Sequence, residues 1–164
     1  LKKINFQNIS SLQLIEIKEE LLKKINHIPI SMILAQAAIE SGWGSSRFAK
    51  EGNALFGEWT WKNNSGLKPR GNLKAKFSVK SFVNISASVN SYILNLNSHP
   101  AYKRMRNYRL LIIKTGKSLS GTETANYLDK YAEIGFEYVI KVTSLIKSNK
   151  FDKFDNIKLE NHQN

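Results

Sequence analysis

Apolar side chains recur at helical spacing between residues 11 and 26, with lysine and glutamate between them. This pattern predicts an amphipathic helix. A second helix is predicted from Pro29 to Glu40, because proline suits the first helical turn and Gly42 and Gly44 are typical of a helix end. We expect the apolar stripe of this helix to face the core; the stripe consists of Ile30, Ile33, Leu34, Ala37 and Ala38.

The remaining pattern predicts further helices around one small β element. The predicted elements are a short helix at 45–52, a β-hairpin within 59–79, and helices at 82–96, 102–113, 122–128 and 137–147. The hairpin follows from the turn residues Asn63-Asn64-Ser65-Gly66 and from the alternation between Lys74 and Val79. The segment after Ser148 is polar, and we expect it to fray. The sequence therefore predicts one α+β domain that is mostly α.

The composition narrows the possible classes of protein. The chain has 164 residues, of which 41% are hydrophobic, so one domain with a real core is expected. It contains no cysteine, and its three histidines lie far apart, so we expect no disulfide, no metal site and no cofactor. No run of 18 apolar residues occurs, so no membrane span is expected. The first residue is Leu1, and no compartment is inferred from the N-terminus.

The net charge of +12 arises in one segment of the chain. Residues 59–122 contain twelve lysines and arginines and no acidic residue, whereas the two flanks nearly cancel. Such a field favours an anionic partner, either nucleic acid, acidic lipid headgroups or an anionic wall polymer. A generally basic surface without a specific partner is an equally good interpretation.

Glu40 is the main candidate for chemistry. Gln36 lies four residues earlier, so both side chains share one helical stripe, offset from the apolar one, and we expect Glu40 at the wall of a cleft. The negative end of the helix and water exclusion by Trp43 and Phe56 are both expected to raise the pKa of Glu40. A carboxyl group that stays protonated near neutral pH can protonate a glycosidic oxygen. The alternative is a surface glutamate that ends an ordinary helix.

Other candidates each have a plain structural alternative. The aromatic residues Trp43, Phe56, Trp59 and Trp61 are either platforms for sugar rings or parts of the core. Asn53 either orients a turn or binds an acetamido group. Tyr131 either stabilises charge at a reacting carbon or makes a structural hydrogen bond. A serine triad has little support, because the serines near Glu40 have no neighbouring histidine.

Three segments around Glu40 resemble a known family. They are Ile33-Leu34-Ala35-Gln36-Ala37-Ala38-Ile39-Glu40-Ser41-Gly42-Trp43-Gly44, Ser46-Arg47-Phe48-Ala49 and Asn53-Ala54-Leu55-Phe56-Gly57. This ordered pattern is similar to the glucosaminidase domain of glycoside hydrolase family 73, a mannosyl-glycoprotein endo-beta-N-acetylglucosaminidase-like domain. The Bax-like branch resembles it most, through Phe56-Gly57-Glu58-Trp59, the stretch from Tyr92 to Arg109, and the stretch from Tyr127 to Glu133 with Gly135 and Tyr138.

The resemblance implies a lysozyme-like helical domain with a small β lobe beside a substrate cleft. It implies hydrolysis of the β-1,4 bond after N-acetylglucosamine in peptidoglycan, with Glu40 as catalytic acid and Tyr131 as the family's tyrosine. Many members use a second carboxylate in the β-hairpin, which has no acidic residue here. The remaining candidates are Glu58, Glu51, Asp129 and Glu133, of which we favour Glu58. The residues expected to bind substrate are Gln36, Trp43, Asn53, Phe56, Trp59 and Tyr127.

Three functional alternatives stay open. A lytic transglycosylase would need only one glutamate, a binding protein could use the same scaffold without catalysis, and a nucleic-acid-binding domain would use the basic segment. The leading hypothesis makes the protein a monomer of the cell envelope, periplasmic or secreted, whose partner is peptidoglycan or a related N-acetylglucosamine-containing glycan and not nucleic acid. Its predicted parts are an N-terminal helical extension (1–19), the glucosaminidase domain (20–147) and a polar tail (148–164).

Overall fold

The computed structural model describes residues 10–62, 65–71 and 75–157. Within these ranges the chain forms helices and three short strands, which confirms the predicted mostly α, α+β class. The elements are α1 (Ser11–Ile25), α2 (Ile30–Ser41), α3 (Arg47–Gly52), β1 (Trp59–Thr60), β2 (Gly66–Leu67), β3 (Ser78–Lys80), α4 (Ile85–Ser98), α5 (Lys103–Lys114), α6 (Gly121–Ala125) and α7 (Phe136–Ser148), with 3-10 helices at Pro100–Tyr102 and Phe151–Phe154.

Local signals set the ends of the first two helices. Ser10 caps α1 through a capping box, because its Oγ accepts from Gln13 N at 3.3 Å and its N–H donates to Gln13 Oε1 at 3.0 Å. Pro29 is the N-cap of α2, and Gly42 ends that helix in the left-handed region at φ 57°. Both predicted helices are therefore confirmed.

The predicted core side of α2 is correct only in part, since Ala38 of the apolar stripe is buried. Met32, Ala35 and Gln36 are completely buried, whereas Ile30 and Leu34 of the apolar stripe are more than a third exposed. The close approach of α6 to α2 explains why the face with Ser31 is buried, because a Cβ on Gly121 of α6 would come within 1.9 Å of Ser31 Oγ. Small residues on this face let α6 pack directly against α2, and that packing outweighs the hydrophobicity of the stripe.

The β element is a three-stranded antiparallel sheet with the order β1-β3-β2, so the predicted simple hairpin is wrong. Trp59 pairs with Val79 on one side of β3, and Leu67 pairs with the same residue on the other side. Gly66 permits this approach, since a Cβ there would lie 2.1 Å from the Val79 carbonyl oxygen. The predicted turn residues Asn63 and Asn64, and Lys74, lie outside the described residues.

The segment after α7 is fastened to the domain, contrary to the predicted fraying, as far as residue 157. The 3-10 helix Phe151–Phe154 packs against α2. Beyond it, the Asp155 carboxylate accepts hydrogen bonds from Ser31 N (2.8 Å), Ser31 Oγ (2.8 Å) and Gly121 N (2.9 Å). One carboxylate thus caps the first turns of both α2 and α6.

The core lies between α2, α4 and α7. Its fully buried side chains include Met32, Leu96, Leu128, Val142 and Ile146. Across the described ranges, no helix combines the length and the apolar character that crossing a bilayer requires. The last turn of α2 leaves this core beside the β sheet, and that position brings Glu40 to a cleft.

Candidate functional site

Glu40 lies on the wall of a cleft of about 380 Å³ between the helices and the β sheet. Four regions of the chain line the cleft: the end of α2, the segment that leads into β1, the end of α4 with the 3-10 helix after it, and the loop before α7. Its lining consists of Glu40, Phe56, Gly57, Glu58, Trp59, Asn95, Tyr102, Tyr131, Ala132 and Glu133. The structure therefore brings five sequence-predicted site residues together, namely Glu40, Phe56, Glu58, Trp59 and Tyr131.

The carboxyl group of Glu40 is partly buried and has a defined partner. Tyr138 Oη donates a hydrogen bond to Glu40 Oε1 at 2.7 Å. Burial raises the pKa of Glu40, and the hydrogen bond from Tyr138 opposes this rise without cancelling it. The predicted direction of the pKa shift is confirmed, and its main cause is desolvation.

Gln36 lies beneath the cleft, where it has no exposed surface. Its Nε2 donates to Tyr138 Oη at 3.1 Å, and its Oε1 accepts from Tyr92 Oη at 2.5 Å. Gln36, which was predicted to bind substrate, therefore has no surface in the cleft. Helical spacing correctly placed Gln36 and Glu40 on one side of α2. Gln36 lies where this side of the helix is in the core, and Glu40 lies one turn later, where it reaches the cleft.

Aromatic rings pack in layers around this hydrogen-bonded group. Tyr131 stacks on Tyr138 with ring centroids 5.1 Å apart, and Phe56 stacks on Tyr92 at 4.0 Å. Burial raises the pKa of Tyr131 well above its usual range, so its hydroxyl stays neutral at physiological pH. This packing limits the rotation of the rings and excludes water from the inner side of the cleft.

Glu58 provides a second carboxylate in the same cleft. Its Oε2 accepts from Ser91 Oγ at 2.8 Å and lies 3.5 Å from Lys80 Nζ. Its Oε1 is buried and has no hydrogen-bond partner among the described residues. The side chain is thus anchored through Oε2, while Oε1 is enclosed without a hydrogen-bond partner in the described part of the chain.

The other candidates for a second carboxylate are placed less favourably, with one exception. Glu51 pairs with Arg47 at 3.0 Å, and Asp129 lies 3.9 Å from Arg104; neither acidic residue lines the cleft. Glu133 does line the cleft, and it is exposed.

Trp43 does not cover Glu40, so the prediction that it removes water from that carboxyl is wrong. Gly42 and Trp43 both adopt left-handed backbone conformations, each with φ 57°, and the chain turns sharply after α2. Trp43 is consequently 63% exposed and approaches Phe151, with ring centroids 6.3 Å apart. It lines a separate apolar pocket of about 220 Å³ with Leu34 and Leu55.

Two further predicted binding residues lie away from the cleft lining. Asn53 caps α3 at φ 51° and donates through Nδ2 to the Phe82 carbonyl oxygen at 3.0 Å, as in its alternative role in a turn. Tyr127 stacks on Tyr108 with ring centroids 4.8 Å apart. By contrast, Trp59 lines the cleft and stacks on Phe77 at 4.6 Å.

A second pocket of about 460 Å³ adjoins the cleft and shares Glu58 and Trp59 with it. Lys62 and Lys80 line this pocket with three hydroxyl residues. Lys68, in contrast, donates to backbone carbonyls of the β lobe, and Arg70 lies 3.7 Å from Glu51. Only part of the basic segment therefore faces the site.

Sequence reasoning missed the role of Tyr138, as well as Asn95, Tyr102 and the Ser91–Lys80 pair. Tyr138 contacts Glu40 across 98 residues of sequence, a distance that periodicity cannot bridge. The available signal was its place after Gly135 in a stretch that resembled the family. Within residues 10–62, 65–71 and 75–157, no group of three potential metal ligands is present.

Comparisons with known proteins give a family and a curated relative. Residues 16–151 match the family described as Mannosyl-glycoprotein endo-beta-N-acetylglucosaminidase. The curated protein named Protein bax, from Escherichia coli (strain K12), is 33% identical over 130 residues, which cover 79% of this chain. The chain spans about half of that relative, since the match covers 46% of it. No solved structure matches the chain.

Proposed function

The chain belongs to the glucosaminidase family, and from this premise we propose that it hydrolyses the β-1,4 bond after N-acetylglucosamine in peptidoglycan, with Glu40 as general acid. The observation that carries the proposal is the partly buried Glu40 carboxyl in the cleft, with a raised pKa and one oxygen held by Tyr138. A raised pKa keeps a carboxyl protonated and able to give its proton to the leaving glycosidic oxygen.

Glu58 is the second catalytic group in this proposal. Ser91 and Lys80 hold its Oε2, while Oε1 accepts no hydrogen bond within the described part of the chain. As the glycosidic bond breaks, Glu40 gives its proton to the leaving oxygen and the Glu58 carboxylate takes the proton of the attacking water. The neutral hydroxyl of Tyr131 stabilises the positive charge that develops at the reacting carbon.

Aromatic rings hold the sugar in the proposed complex. Phe56 and Trp59 line the cleft on the side of Glu58, and the exposed face of Trp59 is available to an apolar sugar face. Lys62 and Lys80 in the adjoining pocket attract the carboxylates of wall peptides. Substrate binding that does not weaken between low and high salt would contradict this role of the lysines.

Product analysis tests the proposal directly. Purified peptidoglycan is treated with the wild-type protein and with Glu40→Gln, and the released fragments are identified by mass spectrometry. We expect reducing N-acetylglucosamine ends from the wild type and none from the variant. Anhydro-muramic ends would instead identify a lytic transglycosylase, and binding without cleavage by the wild type would identify a glycan-binding protein.

A glycoprotein substrate is the second arm of the experiment. The matched family is described by an activity on mannosyl glycoproteins, so a high-mannose glycopeptide is supplied in parallel. Cleavage of the glycopeptide with intact peptidoglycan would overturn the proposed substrate and leave the role of Glu40 in place.

The remaining properties follow from this function as proposals. The protein acts in the cell envelope, periplasmic or secreted, as a monomer whose partner is the glycan. The domain limits at residues 20 and 147 stay predictions, although α1 runs across the first and Asp155 binds to α2 and α6 from beyond the second. Sedimentation of the purified chain checks the monomer.

A further inference from the structure

We infer that Tyr92, Gln36 and Tyr138 form a one-way chain of hydrogen-bond donors that fixes Glu40 Oε1 as an acceptor and keeps the acidic proton on Oε2, the oxygen facing the cleft. The inference rests on the proposed function insofar as Glu40 is the general acid. It assigns a positioning role to three residues beneath the reacting group.

The direction of the chain follows from its inner end. Tyr92 Oη donates to Gln36 Oε1 at 2.5 Å, which commits the oxygen of the amide to Tyr92 and turns its NH₂ group toward Tyr138. Tyr138 Oη accepts from that NH₂ group and therefore uses its own proton for Glu40 Oε1, at 2.7 Å. Each member donates outward, and the last proton points at the carboxyl.

Burial keeps this direction fixed. Gln36, Tyr92 and Tyr138 are 0%, 1% and 2% exposed, so water does not compete for their polar atoms. The stacking of Tyr138 on Tyr131 and of Tyr92 on Phe56 holds both phenol rings in place. Reversing the amide would leave Tyr138 donating to Gln36, and Glu40 would lose the hydrogen bond from Tyr138.

The other oxygen of Glu40 is placed to act on substrate. Glu40 Oε2 lies beside Gly57, where an added Cβ would be 3.9 Å from it. Gly57 lines the cleft, so this oxygen faces the space that the sugar chain would enter. Because Oε1 already accepts a hydrogen from Tyr138, a proton on Glu40 belongs on Oε2.

The donor chain also balances the acidity of Glu40. Burial raises the pKa of this carboxyl, and the Tyr138 hydroxyl lowers it by stabilising the charged form. Removing the hydroxyl should therefore raise the pKa further. Reversal of the chain predicts the opposite, because Tyr138 would then accept from the protonated carboxyl and its loss would lower the pKa.

The experiment measures the pH dependence of kcat/KM for wild type and Tyr138→Phe. We expect a fall of roughly ten- to a hundredfold in kcat, the usual cost of a hydrogen bond to a charged group. We also expect the alkaline limb of the profile to move to higher pH. An unmoved limb, or a shift to lower pH, would overturn the inference.

The matched control is Tyr108→Phe. Tyr108 also donates to a carboxylate, Glu123 Oε2 at 2.6 Å, but outside the cleft. Its removal should leave both kcat and the alkaline limb unchanged. Gln36→Met and Tyr92→Phe should move the limb in the same direction as Tyr138→Phe by progressively smaller amounts, and they provide the test if Tyr138→Phe does not fold.

A direct titration separates this inference from the proposed function. The carboxyl carbon of Glu40 is followed by NMR against pH in wild type and Tyr138→Phe, and Glu40→Gln identifies its signal. A higher pKa in Tyr138→Phe supports the donor chain even if the wild type cleaves no peptidoglycan. An unchanged or lower pKa rejects it even if the enzyme is active.

Discussion

Two buried polar centres, one at Arg109 and one at Glu40, differ in how completely the protein surrounds them. Arg109 has no exposed surface, and its guanidinium donates to Lys23 O (2.6 Å), His27 O (3.1 Å) and Asn97 Oδ1 (2.6 Å). Burial lowers its pKa to about 10, which leaves it charged at neutral pH. Glu40 has the donor Tyr138 on one oxygen and the cleft on the other side.

This difference distinguishes a structural charge from a chemical one. The acceptors of Arg109 come from α1, the loop after it and α4, so the guanidinium joins elements and has little capacity left for a ligand. Glu40 is buried enough to hold its proton and open enough to release it to a substrate. The degree of enclosure, more than burial itself, predicts which centre is functional.

The largest effect should come from Glu40→Gln. The variant keeps the shape of the side chain and removes the transferable proton, so we expect hydrolysis to fall about a thousandfold, equivalent to ~4 kcal/mol in the barrier. Initial rates on purified peptidoglycan measure this loss. A decrease of less than tenfold would show that Glu40, like Arg109, has a structural role and is not the general acid.

The stability of the wild type relative to the same variant should depend on pH in a defined way. The folded protein holds the Glu40 proton more tightly than the unfolded chain, because its pKa is raised above 4.5. The stabilising contribution is therefore complete below the unfolded pKa and is lost as pH rises through the folded value. Urea unfolding between about pH 4 and about pH 8 should show the wild type losing stability relative to Glu40→Gln. Parallel pH curves would contradict this.

Arg109→Met should lower the stability of the protein and leave its activity in place, whereas Glu40→Gln should abolish activity. The change leaves carbonyl and amide oxygens without a donor in the interior, which we expect to lower the unfolding free energy by about 3 kcal/mol. Urea denaturation measures the loss, with Arg106→Met as a comparison at a second buried arginine. The specific activity of the folded fraction should stay within about twofold of the wild type. Retained stability would show that Arg109 is not the structural centre.

Asp155→Asn tests a third, intermediate centre. The carboxylate caps two helices through three hydrogen bonds, so we expect a loss of about 2 kcal/mol in unfolding free energy. The exposed Asp152 in the neighbouring 3-10 helix offers the matched control, Asp152→Asn, with a change near zero. Equal losses of unfolding free energy in the two variants would show that the loss comes from the change in surface charge and not from the helix caps.

The smallest effect is expected on the open side of the Glu40 centre. Trp59→Ala removes an exposed ring that lines the cleft, so KM should rise by about fivefold, equivalent to ~1 kcal/mol, with little change in kcat. Trp61→Ala is the control, since Trp61 is also exposed and is not part of the cleft lining. A rise in KM for Trp61→Ala alone would relocate the sugar-binding platform.

Sequence patterns predicted elements well and their faces less well. The ends of α1 and α2 follow from local signals at Ser10, Pro29 and Gly42, and the glutamate at the end of α2 was found from its own helix. The core face of α2 depends on the approach of Gly121, about ninety positions away, and is therefore invisible to local periodicity.

The same limit applies to the site. Phe56, Glu58, Trp59 and Tyr131 were predicted from segments that resemble the family, whereas the donors behind Glu40 come together only through contacts 56 to 102 residues apart. The exposure of Trp43 depends on three successive residues with positive φ, namely Gly42, Trp43 and Gly44. The two glycines were visible in the sequence, but the positive φ of Trp43 between them was not.

The fastening at Asp155 has a consequence for synthesis of the chain. Translation releases α2 more than a hundred residues before the carboxylate that completes its first turn. During translation, every residue that lines the cleft is therefore synthesised before Asp155, the residue that caps the helix bearing Glu40. Ribosome-bound intermediates should accordingly expose a loosely docked α2, and proteases added during translation should cut there until residue 155 has emerged.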